Sequence, residues 1–275
     1  MADAVSQCHA GGHGRFLRNL RIDFASAFHQ SPFWSYQAYQ KVRLQYAHSL
    51  IGPLWVTLTM AIQLIALTFL FTGLSGADLS VVAPWIAIGV IAWTFFSNSL
   101  NEAASVLLSN RGYFMEAETS IAGFVISILI KNTIIAAHHL ILFAGLVVWF
   151  RLWPDTNWLW LLASIPVFFL TTASLALILA ILTPRFRDLR PLTGNLLMVG
   201  FFLTPVMWRP QSLIKNEFIA TFNPLTHLLA IVREPLLGHP PDQLAWVMAI
   251  CLCLLSTGLA IFLLGAVRHR VTLWV

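Results

Sequence analysis

The sequence predicts an all-α integral membrane protein: six transmembrane helices, an amphipathic N-terminal helix at the membrane interface, and re-entrant helices between spans five and six. Two observations carry this. Of 275 residues, 58% are hydrophobic and only 10% charged, against roughly 25% charged in soluble domains. The second is clustering: residues 44–77, 156–184, 191–208 and 243–267 contain no Asp, Glu, Lys or Arg. A bilayer core needs about 20 such residues per helix. Uninterrupted apolar runs leave no polar alternation for a barrel, so the spans are helical.

Taken in order, residues 1–52 read as a cytoplasmic tail with interfacial helices, and 53–275 as the transmembrane domain. Residues 1–14 are polar, with no apolar run, and are not expected to be a cleaved secretory signal. From there Phe16, Leu17, Leu20, Phe24, Ala27 and Phe28 fall on one helical face and Arg15 and Arg18 on another. That is the pattern of a helix lying on a membrane. An aromatic-rich stretch, 33–46, follows and carries Lys41 and Arg43.

Spans are predicted at 53–74, 84–108, 124–150, 158–182, 192–208 and 245–267. Pro53 and Pro84 are placed in the first turns of their spans, where a missing N–H costs nothing. After the short fifth span, residues 218–237 are apolar but broken by Asn223-Pro224 and Pro235. They read as two short helices re-entering the outer side, since irregular backbone at membrane depth survives only under protein or beside water.

Six spans put both termini on one side. With that side cytoplasmic, Arg15, Arg18, Arg21, Lys41, Arg43, Arg111, Arg185, Arg187, Arg190, Arg268 and Arg270 lie inside, against Arg151, Arg209, Lys215 and Arg233 outside. This is a strong positive-inside bias. Lys131, within span three, is expected to snorkel towards the cytoplasmic surface. Trp55, Trp85, Trp149, Trp153, Trp158, Trp160, Trp208 and Trp246 stand near span ends and read as an interfacial aromatic belt.

Several chemistries are missing. The lysines, Lys41, Lys131 and Lys215, follow Gln, Ile and Ile, so no Gly-Lys-Ser/Thr phosphate-binding loop exists. No Gly-x-Ser-x-Gly elbow or His-Glu-x-x-His helix occurs either. Cys8, Cys251 and Cys253 suggest neither a disulfide nor a metal site, and nothing points to a nucleic-acid partner. His138 and His139 in span three are about 100° apart on a helix and unsuited to sharing a metal; packing or hydrogen bonding is the reading for them.

Four blocks carry a likeness. Residues 46–55, Tyr-Ala-His-Ser-Leu-Ile-Gly-Pro-Leu-Trp, resemble the start of the first span in membrane subunits of ABC type 2 polysaccharide exporters. Pro184-Arg185-Phe186-Arg187-Asp188-Leu189, then Phe201-Phe202-Leu203-Thr204-Pro205-Val206-Met207-Trp208, and finally Asn223-Pro224-Leu225-Thr226-His227 leading to Val232-Arg233-Glu234-Pro235 agree in order and spacing. The resemblance implies a homodimeric permease in the bacterial inner membrane, exporting a lipid-linked glycan such as O-antigen in lipopolysaccharide biosynthesis. Two copies of a separate ATPase would bind ATP and Mg; this chain itself would hold no cofactor and catalyse no reaction.

It also implies site residues. Lys41, Arg43, His48, Ile51 and Gly52 would lie at the cytoplasmic entrance near the lipid-diphosphate head group, although Ala47-His48 replaces the usual paired arginines. Arg111, Tyr113, Phe114, Glu116 and Glu118 would belong to a coupling helix docked on the ATPase. Arg185, Arg187 and Asp188 mark the cytoplasmic loop before span five. Pro205, Trp208, Phe222, Asn223, Pro224 and Arg233 would form an outer gate. Aromatic faces suit the C–H faces of sugar rings. Two rivals stand beside this: a type 2 permease for a drug or small lipid, and an intramembrane glycan-modifying enzyme using His138 or His139.

Overall fold

Leucine, isoleucine, valine and phenylalanine dominate the apolar runs, and none of their side chains can satisfy a peptide group. In an apolar medium the backbone therefore closes its hydrogen bonds within helices. The computed structural model describes residues 2–45, 52, 54–116, 120–210 and 217–275, and no strand occurs among them. The helices are α1 (Ala2–His29), α2 (Ser31–Gln45), α3 (Leu54–Ser75), α4 (Leu79–Ser109), α5 (Arg111–Glu116) and α6 (Ile121–Phe150). A 3-10 turn (Thr156–Trp160) runs into α7 (Leu161–Leu182), followed by α8 (Leu189–Leu203), α9 (Glu217–Phe222), α10 (Pro224–Leu236) and α11 (Gln243–Trp274).

Among the described residues, five helices are long and apolar enough to cross a membrane: α3, α4, α6, the 156–182 segment with α7, and α11. The predicted fifth span corresponds to α8, which is apolar but has only 15 residues. It stops early because Thr204 precedes Pro205; the proline ring forces the residue before it out of the helical region, and Thr204 is extended at φ −88°, ψ 138°. Two other boundaries move. α4 begins at Leu79 behind an extended Asp78, so Pro84 lies inside the helix and not in its first turn. α11 continues past 267 to Trp274 and carries Arg268 and Arg270 in its final turns, where cations suit the helix dipole.

α4 is the central element, packing against α3, α6, α7, α8 and α10. Its residues feed two apolar cores at opposite ends of the bundle. The proximal core, beside α1, α2 and α5, gathers Trp34, Leu107, Phe124, Ile181 and Leu264. The distal core, beside α10, gathers Trp85, Ile86, Phe96, Phe168 and Leu228. Outside, α3 exposes Leu58, Ile62, Ile65 and Phe69, and α11 exposes Leu254, Leu255 and Phe262. Acyl chains, not water, are the solvent for such a surface.

The N-terminal helix is more deeply embedded than a surface anchor. Its inward face carries Asn19, Asp23 and Ala27 buried with Phe16, Leu20 and Phe24 beside them, whereas Leu17 and Phe28, predicted on that face, are exposed.

Candidate functional site

At the distal end, the break after α8 leaves the carbonyls of Pro205 and Val206 outside any helix. Arg233, from α10, donates to both, from Nη1 to Pro205 O at 2.7 Å and from Nη2 to Val206 O at 3.0 Å. It is 2% exposed, and its guanidinium carbon lies 4.1 Å from the centre of the Trp85 ring. Arg209 approaches the same ring at 5.5 Å. Trp85 in turn donates from Nε1 to Trp208 O at 3.2 Å, and Trp208 Nε1 donates to Phe202 O at 2.9 Å. Gly89 makes room for this stack: a Cβ there would strike Arg233 Nη2 and Val206 O.

Asn223 ties the next layer. Its Nδ2 donates to Thr204 Oγ1 at 2.9 Å, while its Oδ1 accepts from Leu225 N at 3.0 Å and so caps α10, whose first residue is Pro224. Pro205, Trp208, Asn223, Pro224 and Arg233 thus come together, as grouped from the sequence. Phe222 does not join them; it is 77% exposed. Trp85, assigned to the interfacial belt, is buried under Arg233 instead. Its position near a predicted span end hid this, because span ends and buried ring shelves look alike in one dimension.

At the proximal end, Lys131, expected to snorkel, is paired within the bundle. Its Nζ meets Glu102 Oε1 at 2.7 Å, with the two side chains 14% and 33% exposed. Asn132 Nδ2 adds bonds to Ser99 Oγ at 3.3 Å and Glu102 Oε1 at 3.4 Å. Lys41 on α2 is half-buried in the field of this pair. Burial pulls its pKa below the usual 10.5, Glu102 opposes the shift and Lys131 reinforces it. Arg43 is exposed, and Gly52 turns the chain at φ 61°. His48 and Ile51 lie outside the described residues. The acid in predicted span two was visible in the sequence, but its pairing with Lys131 needed the contact between α4 and α6.

α5 is held by rings. Tyr113 stacks on Phe33 at 5.8 Å and 20°, and meets Phe124 edge-on at 6.2 Å. Trp34 lies 5.1 Å from Phe124 and against Gly123, where a Cβ would collide with the indole. Phe114 is 4% exposed and 6.3 Å from Phe124, so its bulk anchors α5 to the bundle. Arg111 is exposed, Glu116 is the last residue of α5, and Glu118 lies outside the described residues. Arg185, Arg187 and Asp188 are exposed, with Arg185 5.9 Å from the Phe186 ring and 6.0 Å from that of Trp274. His138 Nδ1 is 2.8 Å from Ile134 O, and His139 is buried.

A family model described as ABC-2 type transporter matches residues 37–237. The chain belongs to that family. The ABC-2 region runs from α2 to the end of α10 and contains the Lys41, Glu102 and Lys131 cluster, α5, and the whole Arg233 stack. Among relatives, the O-antigen export system permease protein RfbA of Myxococcus xanthus is 27% identical over 234 residues, covering 81% of this chain and 88% of the relative. Two proteins of the same name from Klebsiella pneumoniae are each 21% identical over 202 and 203 residues, covering 70% of this chain and 75% of each relative. As an ABC-2 protein the chain is a multi-pass membrane protein.

Proposed function

We propose that this chain is the channel-forming permease subunit of an ATP-driven exporter of lipid-linked polysaccharide across the bacterial inner membrane. The observation that carries the reading is the match, across most of both chains, to relatives named O-antigen export system permease proteins. The absence of a phosphate-binding loop from the sequence supports a separate ATPase as the source of energy, holding ATP and Mg itself.

In this reading two copies of the chain and two ATPase subunits form the working unit. α8, extended by residues 204–210, serves as the fifth of six spans, and both termini are cytoplasmic, in keeping with the positive-inside bias. The α5 segment with Arg111 and Tyr113 receives the ATPase. The Lys41 region stands at the cytoplasmic entrance, where cations complement a diphosphate. The Arg233 stack fixes α10 beside the outer mouth. A hydrated sugar chain cannot cross hydrocarbon, since each hydroxyl loses hydrogen bonds worth several kcal/mol. A lined conduit removes that cost without making or breaking a covalent bond.

Deletion of the gene in its host tests the reading. The expected result is loss of surface glycan with finished lipid-linked polymer retained inside the cell. Intact surface glycan with altered drug sensitivity would favour the drug-permease rival. Surface glycan that lacks only an acyl decoration would favour the enzyme.

A further inference from the structure

The Asp23 carboxylate is 0% exposed and accepts from four donors. Oδ1 accepts from Ser120 Oγ at 2.7 Å and from Ala122 N at 2.9 Å. Oδ2 accepts from Ile121 N at 3.1 Å and from Arg268 Nε at 2.8 Å. Ser120 is the N-cap of α6, and its Oγ accepts from Gly123 N at 2.9 Å. One turn earlier on α1 a second rung repeats the connection, with Asn19 Nδ2 donating to Gly265 O at 2.9 Å and Phe16 packed where a Gly265 Cβ would sit. Three elements distant in sequence, α1, the first turn of α6 and the end of α11, are therefore joined through one buried carboxylate.

We infer that Asp23 is a positioning residue that converts displacement of α5 into movement of the membrane helices; this rests on the exporter reading above. α5 reaches the bundle through Tyr113 and Phe114, whose rings touch Phe124, one turn beyond Ser120. A push on α5 arrives at the start of α6. There the first turn is tied by its N–H groups to α1, and through Arg268 to α11, so the three move as one body. α2 follows α1 after a single residue, Gln30, and carries Lys41 with it. Anchoring α1 to lipid would require only its apolar contacts. A buried acid satisfied by two other helices is costly to desolvate and useful for register. Asp23 and Arg268 fall outside the family-matched residues 37–237 while Ser120, Ile121 and Ala122 fall inside, so the joint ties both flanks to the matched region.

The test uses the full chain reconstituted with its ATPase in lipid vesicles, measuring complex assembly, ATP hydrolysis and transfer of glycan lipid. Asp23→Asn and Arg268→Gln are expected to assemble, to hydrolyse ATP with an unchanged KM, and to move about tenfold fewer glycan lipids per ATP. Leu17→Ala, on the exposed face of α1, should leave that ratio unchanged. Arg268→Gln removes one donor and keeps α6 capped, so it remains informative if Asp23→Asn does not assemble. An unchanged transfer-to-ATP ratio in assembled Arg268→Gln overturns the inference, as does an equal fall in both rates. Failure of the wild-type complex to move any glycan lipid is a separate result, which overturns the exporter reading itself.

Discussion

Arg233 lies over Trp85, its guanidinium carbon 4.1 Å from the ring centre, and its Nη1 and Nη2 donate to two peptide carbonyls. The buried cation is thus held by a π face and backbone dipoles. A desolvated cation–π contact contributes about 2 kcal/mol, and hydrogen bonds to a charged group about 1.5–3 kcal/mol each. Lysine cannot span both carbonyls with a planar fork. Arg233→Lys should therefore lower stability by about 2–4 kcal/mol, read as a lower thermal midpoint of the purified protein. Trp85→Leu should do the same while leaving α10 helical.

Gly89 gives a sharper test of the same stack. One atom that its added Cβ would meet is the Val206 carbonyl oxygen, which belongs to backbone and cannot rotate away. Gly89→Ala should destabilise by about 1–3 kcal/mol as the 205–206 segment lifts from α4. Gly258→Ala, with nothing within 4 Å of its Cβ, should be neutral or stabilising by up to about 1 kcal/mol. Equal midpoints for the two variants would contradict the packing described.

The Lys131 and Glu102 pair predicts non-additivity. Removing one partner of a buried pair costs about 3–5 kcal/mol; because Glu102 is 33% exposed, a smaller loss of about 1–3 kcal/mol is expected for Lys131→Met or Glu102→Gln. The double variant should be more stable than the sum of the singles by about 1 kcal/mol or more. A double-mutant cycle by denaturant titration measures this directly.

Lys41 predicts a pH effect. Its native pKa lies below the unfolded value of 10.5, mainly through burial, so the unfolded chain holds more protons between the two values. Stability then rises with pH across that window and is lost as pH falls through the native pKa. Lys41→Gln should flatten the alkaline rise in thermal midpoint. A variant with the wild-type slope would place the titration elsewhere.

Composition carried the helical class because apolar runs have one solution in lipid. The grouping of Pro205, Trp208, Asn223, Pro224 and Arg233 was legible through the resemblance, because proline and asparagine set chain turns locally. What sequence reading missed were contacts whose meaning depends on a partner helix. No motif marks Asn19 or Asp23 in the sequence, and only the arrival of Gly265 and Ser120 gives them their partners. Lys131 looked like a surface-seeking cation until α4 brought Glu102 beside it. The length of α8 depended on a single Thr204-Pro205 step, which a hydropathy window averages away.

The abrupt end of α8 sets a demand on the residues that follow. At about 1.5 Å per residue its 15 residues reach roughly 22 Å, well under the hydrocarbon thickness of about 30 Å. For α8 to act as the proposed fifth span, residues 204–210 must supply the missing depth without helical hydrogen bonds. Such a backbone survives only where protein covers it, and Arg233 provides that cover at the Pro205 and Val206 carbonyls.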